Sequence, residues 1–226
     1  MPGIPDQPPP AQTPPARPED VWAALVSEPD TGVSIVDDAG QVIYVNEQAA
    51  KIFLDREREH VIGRRLNDLF PEEWVKERMD LFRRISRERH PVALRTLWRG
   101  RQIRSTIRPL DRPRNEHCRF LIITRRVSGA EEARVEGYEF IESEVIDLGP
   151  LDVLTTRELE VLALLGCGHT VKDVAAIVRR SPRTVEVHRQ SIARKLQEAD
   201  RVRLARIASE AGLQLSDASR QRVRSE

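Results

Sequence analysis

This chain of 226 residues has few cysteines, no long apolar run and few aromatic residues, and each of these features excludes certain classes of protein. Two cysteines, Cys118 and Cys167, are too few for a disulfide framework or a four-thiolate zinc site, which favours a reducing compartment. No apolar run approaches the roughly 20 residues that span a bilayer, and no basic start with an apolar stretch marks a secretory signal. Only ten residues are aromatic, in a composition otherwise typical of globular domains. We therefore expect a cytoplasmic protein without membrane association.

The formal net charge of +1 hides an uneven distribution of charge along the chain. Residues 129–148 contain seven acidic residues and one basic residue, whereas residues 172–206 contain ten basic and four acidic residues. A basic region of this kind is the first sign of an interface with nucleic acid. Arginine accounts for 33 of the 37 basic residues, but it is spread over both halves and does not by itself indicate phosphate binding.

The N-terminal half alternates between strand and helix patterns. Residues 1–18 include eight prolines and predict a disordered tail. In residues 19–128, two β-rich runs flank the turn residues 37–40, and Asn46 is placed to cap a short helix. A longer helix follows Pro71, and strands are predicted over 91–98, 101–110 and 119–126, the first two joined by Arg99-Gly100. This order predicts an α+β domain with an antiparallel sheet.

The C-terminal half has helical patterns throughout. Residues 129–150 are predicted to form an acidic, partly helical linker, with enough apolar spacing to suggest a coiled coil between two copies. Residues 151–213 predict four helices, with capping residues at Thr155, Thr170, Ser181 and Asp200. Residues 214–226 predict a polar, frayed tail.

The third of these helices is amphipathic. At 100° per residue, Val185, Ile192 and Leu196 fall on one face and predict its buried side. The opposite face combines guanidinium groups, an amide, a carboxylate and a valine, at Arg183, Glu186, Val187, Gln190 and Arg194. Such groups suit contact with phosphates and base edges in a DNA major groove, although an ordinary solvated helix would look the same. A preceding short helix and a four-residue turn complete a helix-turn-helix pattern.

The segments LTTRELEVLALL (154–165), HTVKDVA (169–175) and SPRTVEVHR (181–189) resemble the LuxR/GerE-type helix-turn-helix. The resemblance implies base contacts and backbone contacts from two sets of residues. The first is Glu186, Val187 and Gln190; the second is Thr170, Lys172, Arg183, Thr184, Arg194 and Lys195. His188 and Arg189 are expected to be structural, with Arg189 paired to Glu158 or Glu160. Two departures from the family pattern are Thr156, where proline is frequent, and Arg179-Arg180, where the family has small or apolar residues.

The resemblance also implies that the fourth helix pairs two copies of the domain. The residues expected in that contact are Val202, Leu204, Ala205 and Ala208. The helix has two apolar aspects, one containing Leu204 and Ala208 and the other Val202 and Ala205. A helix buried more deeply in its own domain would show the same pattern, so both interpretations stay open.

The segments GVSIVDDAGQVIYVNEQAAKIF (32–53) and VIGRRLNDLFP (61–71) resemble a PAS domain, over about residues 19–127. The resemblance implies a five-stranded antiparallel sheet with helices, and it leaves the ligand unknown. Cys118 does not lie in a flavin-binding helix, His60 and His90 are expected at the surface, and His117-Cys118 lacks further metal ligands. A phosphoacceptor receiver is excluded because the chain turns back into a strand after Asp38. No catalytic residues, metal site or cofactor are predicted.

Together these patterns predict two domains: an α+β PAS fold, followed by an all-α, four-helix LuxR-type helix-turn-helix domain. We expect a sequence-specific DNA-binding transcription regulator, not an enzyme, whose PAS domain senses a signal or mediates dimerisation. The expected partners are double-stranded DNA and a second copy of the chain, with RNA polymerase as a further candidate. The alternative is a PAS-based protein-interaction adaptor that binds DNA only nonspecifically.

Overall fold

The N-terminal domain alternates strands and helices in the predicted order. The computed structural model describes residues 17–54, 57–110, 117–127 and 135–225. The elements of this domain are α1 (Pro18–Ser27), β1 (Thr31–Asp37), β2 (Val42–Val45), α2 (Glu47–Phe53), α3 (Glu72–Glu88), β3 (Val92–Trp98), β4 (Arg101–Pro109), β5 (Arg119–Arg126) and β6 (Glu139–Glu142). Short 3-10 helices cover Arg58–His60 and Leu66–Asp68.

The strands form one six-stranded sheet in the order β2-β1-β5-β4-β3-β6. The first five strands pair antiparallel, as predicted, and β6 adds to β3 in parallel. The sheet is therefore mixed and has one strand more than the five expected. Alternate residues of β3 face opposite sides of the sheet: Leu94 and Trp98 pack with the helices of the N-terminal domain, and Leu97 packs with the C-terminal domain.

Local side-chain chemistry explains the turns and the start of α2. Asp37 accepts hydrogen bonds from the backbone N–H groups of Ala39 and Gln41, at 2.9 and 2.8 Å. Arg99 and Gly100 have φ values of 50° and 70°, the left-handed pair that a two-residue hairpin turn requires. Asn46 caps α2 by accepting from the N–H of Ala49 at 2.9 Å. These three predictions are confirmed.

The C-terminal domain contains the four predicted helices. They are α4 (Thr156–Gly166), α5 (Val171–Ile177), α6 (Pro182–Lys195) and α7 (Arg201–Ala211). The side chains of Thr155, Thr170, Ser181 and Asp200 cap their N-termini as expected. Buried leucines and Val161 of α4 form the centre of the domain, and the other three helices pack around it. No helix among the described residues is long and apolar enough to cross a membrane.

Both segments that flank the helical domain differ from prediction. Residues 129–134 of the predicted linker lie outside the described residues, and the described remainder forms β6, β7 (Val145–Ile146) and a 3-10 helix (Gly149–Val153). Its apolar residues pack against the sheet and the helical domain, which excludes the two-copy coiled coil over this part.

The expected frayed tail is likewise ordered. It forms a 3-10 helix (Leu215–Ser219) and then β8 (Gln221–Arg222), which pairs in parallel with β7. Ala218 and Val223 are buried, which explains why this polar-looking segment packs. At the other end, residues 1–16 of the predicted Pro-rich tail lie outside the described residues, whereas Pro18 begins α1.

Candidate nucleic-acid interface and interior cavity

The turn between α5 and α6 is fixed by local hydrogen bonds. The backbone N–H of Arg180 donates to the carbonyl of Ala175 at 2.9 Å, and Arg179 adopts a left-handed φ of 53°. Ser181 Oγ then accepts from the N–H of Thr184 at 3.1 Å and starts α6. The sequence thus builds a helix-turn-helix in which both arginines of the turn are exposed.

Helix α6 presents to solvent the face that the helical wheel predicted. Val185 and Ile192 are fully buried against α4 and α5, and Leu196 is half-buried beside them. On the opposite side Val187 is 58% exposed. The exposed residues beside it are Arg183, Gln190 and Arg194. The predicted orientation of α6 is confirmed, and contact of these residues with DNA stays a prediction.

Glu186 lies at the edge of this face and is engaged within the helix. Its carboxylate accepts from Nε of Arg189 at 3.0 Å and from Nη2 of the same residue. This hydrogen bond raises the pKa of the Arg189 guanidinium. The expected pairing of Arg189 with Glu158 or Glu160 is therefore wrong, because a partner one helical turn away on α6 itself is within reach.

Glu158 forms a buried polar centre beneath α6. It accepts from Lys195 Nζ at 2.6 Å, from Ser191 Oγ at 2.7 Å and from the N–H of Thr155 at 2.7 Å. Burial alone would raise the pKa of this carboxyl group, but the hydrogen bonds outweigh it and lower the pKa to about 2. Lys195, expected to contact the DNA backbone, is therefore paired with Glu158, although its side chain remains 29% exposed.

The remaining backbone-contact candidates fall into two groups. The amide of Thr170 donates to Asp173 Oδ2 at 3.0 Å, so it is not presented to a phosphate as expected, and Thr184 is half-buried with its hydroxyl against Ser181. Lys172, Arg183 and Arg194 are exposed and form no ion pair within the part of the chain described. Among the predicted backbone contacts, these three side chains therefore remain candidates for phosphate binding.

One of the two apolar aspects of helix α7 packs against its own domain. Leu204 and Ala208 are each 1% exposed and belong to the helical core, which contradicts their expected place in a contact between copies. Val202 is 74% exposed and Ala205 is half-buried. The aspect left for a second copy is therefore the one that contains Val202 and Ala205.

The N-terminal domain contains a cavity of about 70 Å³ between its sheet and its helices. Aromatic side chains line much of it, namely Phe53, Phe70, Trp74 and Phe82, and polar groups reach it from Ser34, Arg78 and Ser105. Trp74 is 5% exposed, and its indole N–H has no hydrogen-bond acceptor among the described residues. A cavity that holds benzene measures about 150 Å³, so a ligand of that size would have to push the walls outward.

Arg78 is a buried cation in the wall of this cavity. Its Nη1 donates to Glu77 Oε2 at 2.6 Å, and its guanidinium carbon lies 4.7 Å from the centre of the Trp74 ring. Both terminal nitrogens lie 3.4 Å from the hydroxyl of Ser143, which follows β6. Burial lowers the pKa of Arg78 and the Glu77 carboxylate opposes this shift. The cavity therefore contains one fixed hydrogen-bond donor of positive charge.

The sequence analysis did not identify Arg78, although the spacing of its neighbours in α3 indicates a buried position. The buried residues of α3 include Trp74, Arg78 and Phe82, which are spaced four apart along a single face. An arginine in the middle of an apolar helix face must find partners inside the protein. His60 and His90, by contrast, are exposed as expected. Among the described residues, no three His, Cys, Asp or Glu side chains converge as metal ligands would.

Comparison with known proteins assigns each half of the chain to a domain family. Residues 30–132 match the PAS fold, and residues 152–208 match bacterial regulatory proteins of the luxR family. The transcriptional regulatory protein UhpA of Escherichia coli K12 is 45% identical over 58 residues, which cover 26% of this chain and 30% of UhpA. The uncharacterized response regulatory protein YgeK of the same organism is 30% identical over 95 residues, covering 39% of this chain and 65% of YgeK.

The chain thus spans less than two thirds of the length of both relatives. Among solved structures, the VqmA–ligand–DNA complex of Vibrio cholerae aligns with 85% of this chain and 88% of its own, at 17% identity and a TM-score of 0.48. The assignments by family follow the boundary seen in the fold, where the sheet precedes the four helices. The chain combines a PAS domain with a C-terminal helix-turn-helix domain of the LuxR family of bacterial regulatory proteins.

Proposed function

We propose that this protein is a transcription regulator that binds specific DNA sequences as a dimer and whose PAS domain senses a small molecule. The observation that carries the first part is the exposed face of α6, where Val187 and Gln190 lie between Arg183 and Arg194. An amide and a valine side chain can distinguish bases in the major groove, while arginines anchor phosphates. The match of residues 152–208 to bacterial regulatory proteins of the luxR family supports the same function.

The dimer rests on the part of α7 that its own domain leaves uncovered. Val202 is an aliphatic side chain 74% exposed, and Ala205 allows close approach of a second helix. Two recognition helices held in this way could contact two half-sites in successive turns of DNA. RNA polymerase is a further candidate partner if the protein activates transcription.

The sensing role rests on the cavity of the PAS domain. Its aromatic walls favour a small, largely apolar ligand, and the unpartnered N–H of Trp74 and the guanidinium of Arg78 would bind an acceptor such as a carbonyl or carboxylate group. Mass spectrometry of the intact protein under non-denaturing conditions tests this role. Retention of a small molecule by the wild type, and its loss from Trp74→Ala, is expected. Equal retention by both would contradict binding in the cavity.

Selection of binding sites from randomised DNA tests the DNA-binding role. A recurring sequence is expected for the wild type, and Val187→Ala and Gln190→Ala should each cost about 1–3 kcal/mol at individual base pairs. Lys172→Ala and Arg194→Ala should weaken binding to all sequences and reduce the salt slope by about one unit each. Arg83→Ala, an exposed site on α3, is the control and should change neither. Recovery of no recurring sequence would favour the adaptor role.

A further inference from the structure

The turn between α5 and α6 contains two arginines that the proposed function does not use. Arg179 and Arg180 directly precede Ser181, the residue that caps α6. Both side chains are exposed, and neither forms an ion pair with any residue that the structure describes. Small or apolar residues were expected at both positions. The charge of this turn is therefore a feature of this chain that needs an explanation of its own.

The backbone of the turn does not require arginine at either position. The N–H groups of Arg180 and Arg179 donate to the carbonyls of Ala175 and Ala176, at 2.9 and 3.3 Å, so the turn is closed by main-chain atoms. Arg179 has a φ of 53°, in the left-handed region that glycine adopts more easily than residues with a Cβ atom. The stability of the domain therefore does not account for an arginine at position 179.

The carboxylates nearest in sequence to these arginines are engaged with other residues. Residues 171–195 contain seven basic and only two acidic residues, so the helix-turn-helix cannot neutralise its own charge. Asp173 accepts from the amide and the hydroxyl of Thr170, at 3.0 and 2.6 Å, and Glu186 is paired with Arg189. The turn thus has a positive charge that no described carboxylate balances and that an anion from outside the protein could balance.

We propose that Arg179 and Arg180 bind DNA phosphates beside the base pairs that α6 contacts. The turn continues directly into the exposed face of α6, because Arg183 follows Arg179 by only four residues. A guanidinium group binds phosphate through short, charge-assisted hydrogen bonds. Phosphates are the same in every DNA sequence, so these contacts strengthen binding to specific and nonspecific DNA alike. They extend the DNA interface beyond the residues that distinguish bases.

This inference rests on the proposed function, and the salt dependence of binding to two duplexes tests the two separately. The full chain is titrated with the selected operator and with a scrambled duplex of the same length. Arg179→Gly/Arg180→Ala should weaken binding to both duplexes by similar factors. It should also lower the slope of log affinity against log salt by about two units for each bound protomer. An unchanged slope, or a loss of affinity for the operator alone, would overturn the proposal.

Two control variants separate phosphate contact from net charge and from the shape of the turn. Arg83→Ala/Arg87→Ala removes two exposed arginines of α3 and changes the net charge by the same amount, so it should keep the wild-type slope. Arg179→Lys/Arg180→Lys keeps both charges and should recover most of the slope. An equal fall in the α3 control, or no recovery with lysine, would contradict the contact. Failure to select any recurring operator would refute the proposed function, while the slope on the scrambled duplex still decides the phosphate contact.

The single variant Arg179→Gly gives a readout that a purely structural role would not produce. Glycine adopts this φ without steric cost, which offsets the greater freedom that it gives the unfolded chain. The variant should therefore melt close to the wild-type temperature while it weakens binding to both duplexes. A melting temperature lower by more than about 4 °C, together with weaker binding, would show that the arginine supports the turn and would overturn its assignment to DNA.

Discussion

Two buried guanidinium groups differ in how completely the protein satisfies them. Arg95, between the domains, makes a bidentate ion pair with the fully buried Asp217 and two further hydrogen bonds. Arg78, in the cavity wall, has one short contact with Glu77, whose side chain is 23% exposed, and two long contacts with Ser143. The guanidinium group of Arg95 is therefore held by contacts within the protein, whereas that of Arg78 could still donate to a further hydrogen-bond acceptor.

The difference separates a residue that determines structure from one that is suited to a ligand. Replacing one partner of a fully buried ion pair leaves the other charge without compensation, because no water can reach it. Glu77, by contrast, can be hydrated if Arg78 is removed or drawn elsewhere. A ligand with an acceptor group can therefore compete for Arg78 at modest cost, which no ligand could do for Arg95.

The largest effect is expected where the pair is most completely buried. Asp217→Asn should lower the free energy of unfolding by about 3–5 kcal/mol, since it leaves the charge of Arg95 buried and unpaired. The double variant Arg95→Met/Asp217→Leu removes both charges and should recover most of that loss. Urea unfolding of the wild type and of both variants measures the two differences. A loss below about 1 kcal/mol in Asp217→Asn would mean that water reaches Arg95 after all.

Glu158 is an intermediate case, because its carboxylate is buried but accepts hydrogen bonds from three different residues. Its folded pKa of about 2 lies below the ordinary value of 4.5, so its contribution to stability is fully present above about pH 4.5 and is lost as the pH falls through 2. The shift corresponds to roughly 3 kcal/mol. Glu158→Gln cannot titrate, so the difference in unfolding free energy between it and the wild type should shrink by about this amount from pH 7 to pH 2. A difference independent of pH would contradict the lowered pKa.

The contacts of these buried charges could not be predicted from the sequence. Short-range signals located the elements well: the Ser181-Pro182 start of α6, the Asn46 cap and the wheel of α6 all depend on residues within a few positions of each other. The Arg95–Asp217 pair joins residues 122 positions apart, and no local pattern connects them. The same reason explains why residues 135–148 and 214–225 were expected to be linker and tail. Their polar composition conceals pairing between β7 and β8, which only the fold brings together.

Prediction of the DNA-contact residues is limited in another way. The sequence indicates which side chains lie on the outer face, but not which of them already form hydrogen bonds or ion pairs within the domain. Lys195 and Thr170 have the right residue types for phosphate contact, yet Lys195 is paired with Glu158 and the amide of Thr170 donates to Asp173. Leu204 and Ala208 lie on one apolar aspect of α7 and Val202 on the other, and the wheel alone cannot say which aspect faces the core. Such assignments require the neighbouring helix, which periodicity within one helix does not contain.

The smallest effect is expected at Arg78, and it tests the comparison most directly. Arg78→Met keeps a long side chain against Trp74 but removes the charge, and Glu77 is exposed enough to be hydrated. We expect a loss of about 1–2 kcal/mol in urea unfolding, clearly below that of Asp217→Asn. Ser143→Ala removes the long contacts to Arg78 and a hydroxyl that lies within hydrogen-bond distance of Glu77 Oε2 and of the carbonyl of Val145, at 2.6 and 2.7 Å. It keeps the charge of Arg78, so it is the control and should cost about 1 kcal/mol. If Arg78→Met were as destabilising as Asp217→Asn, Arg78 would be a structural residue like Arg95, and its capacity to bind a ligand would lose its physical basis.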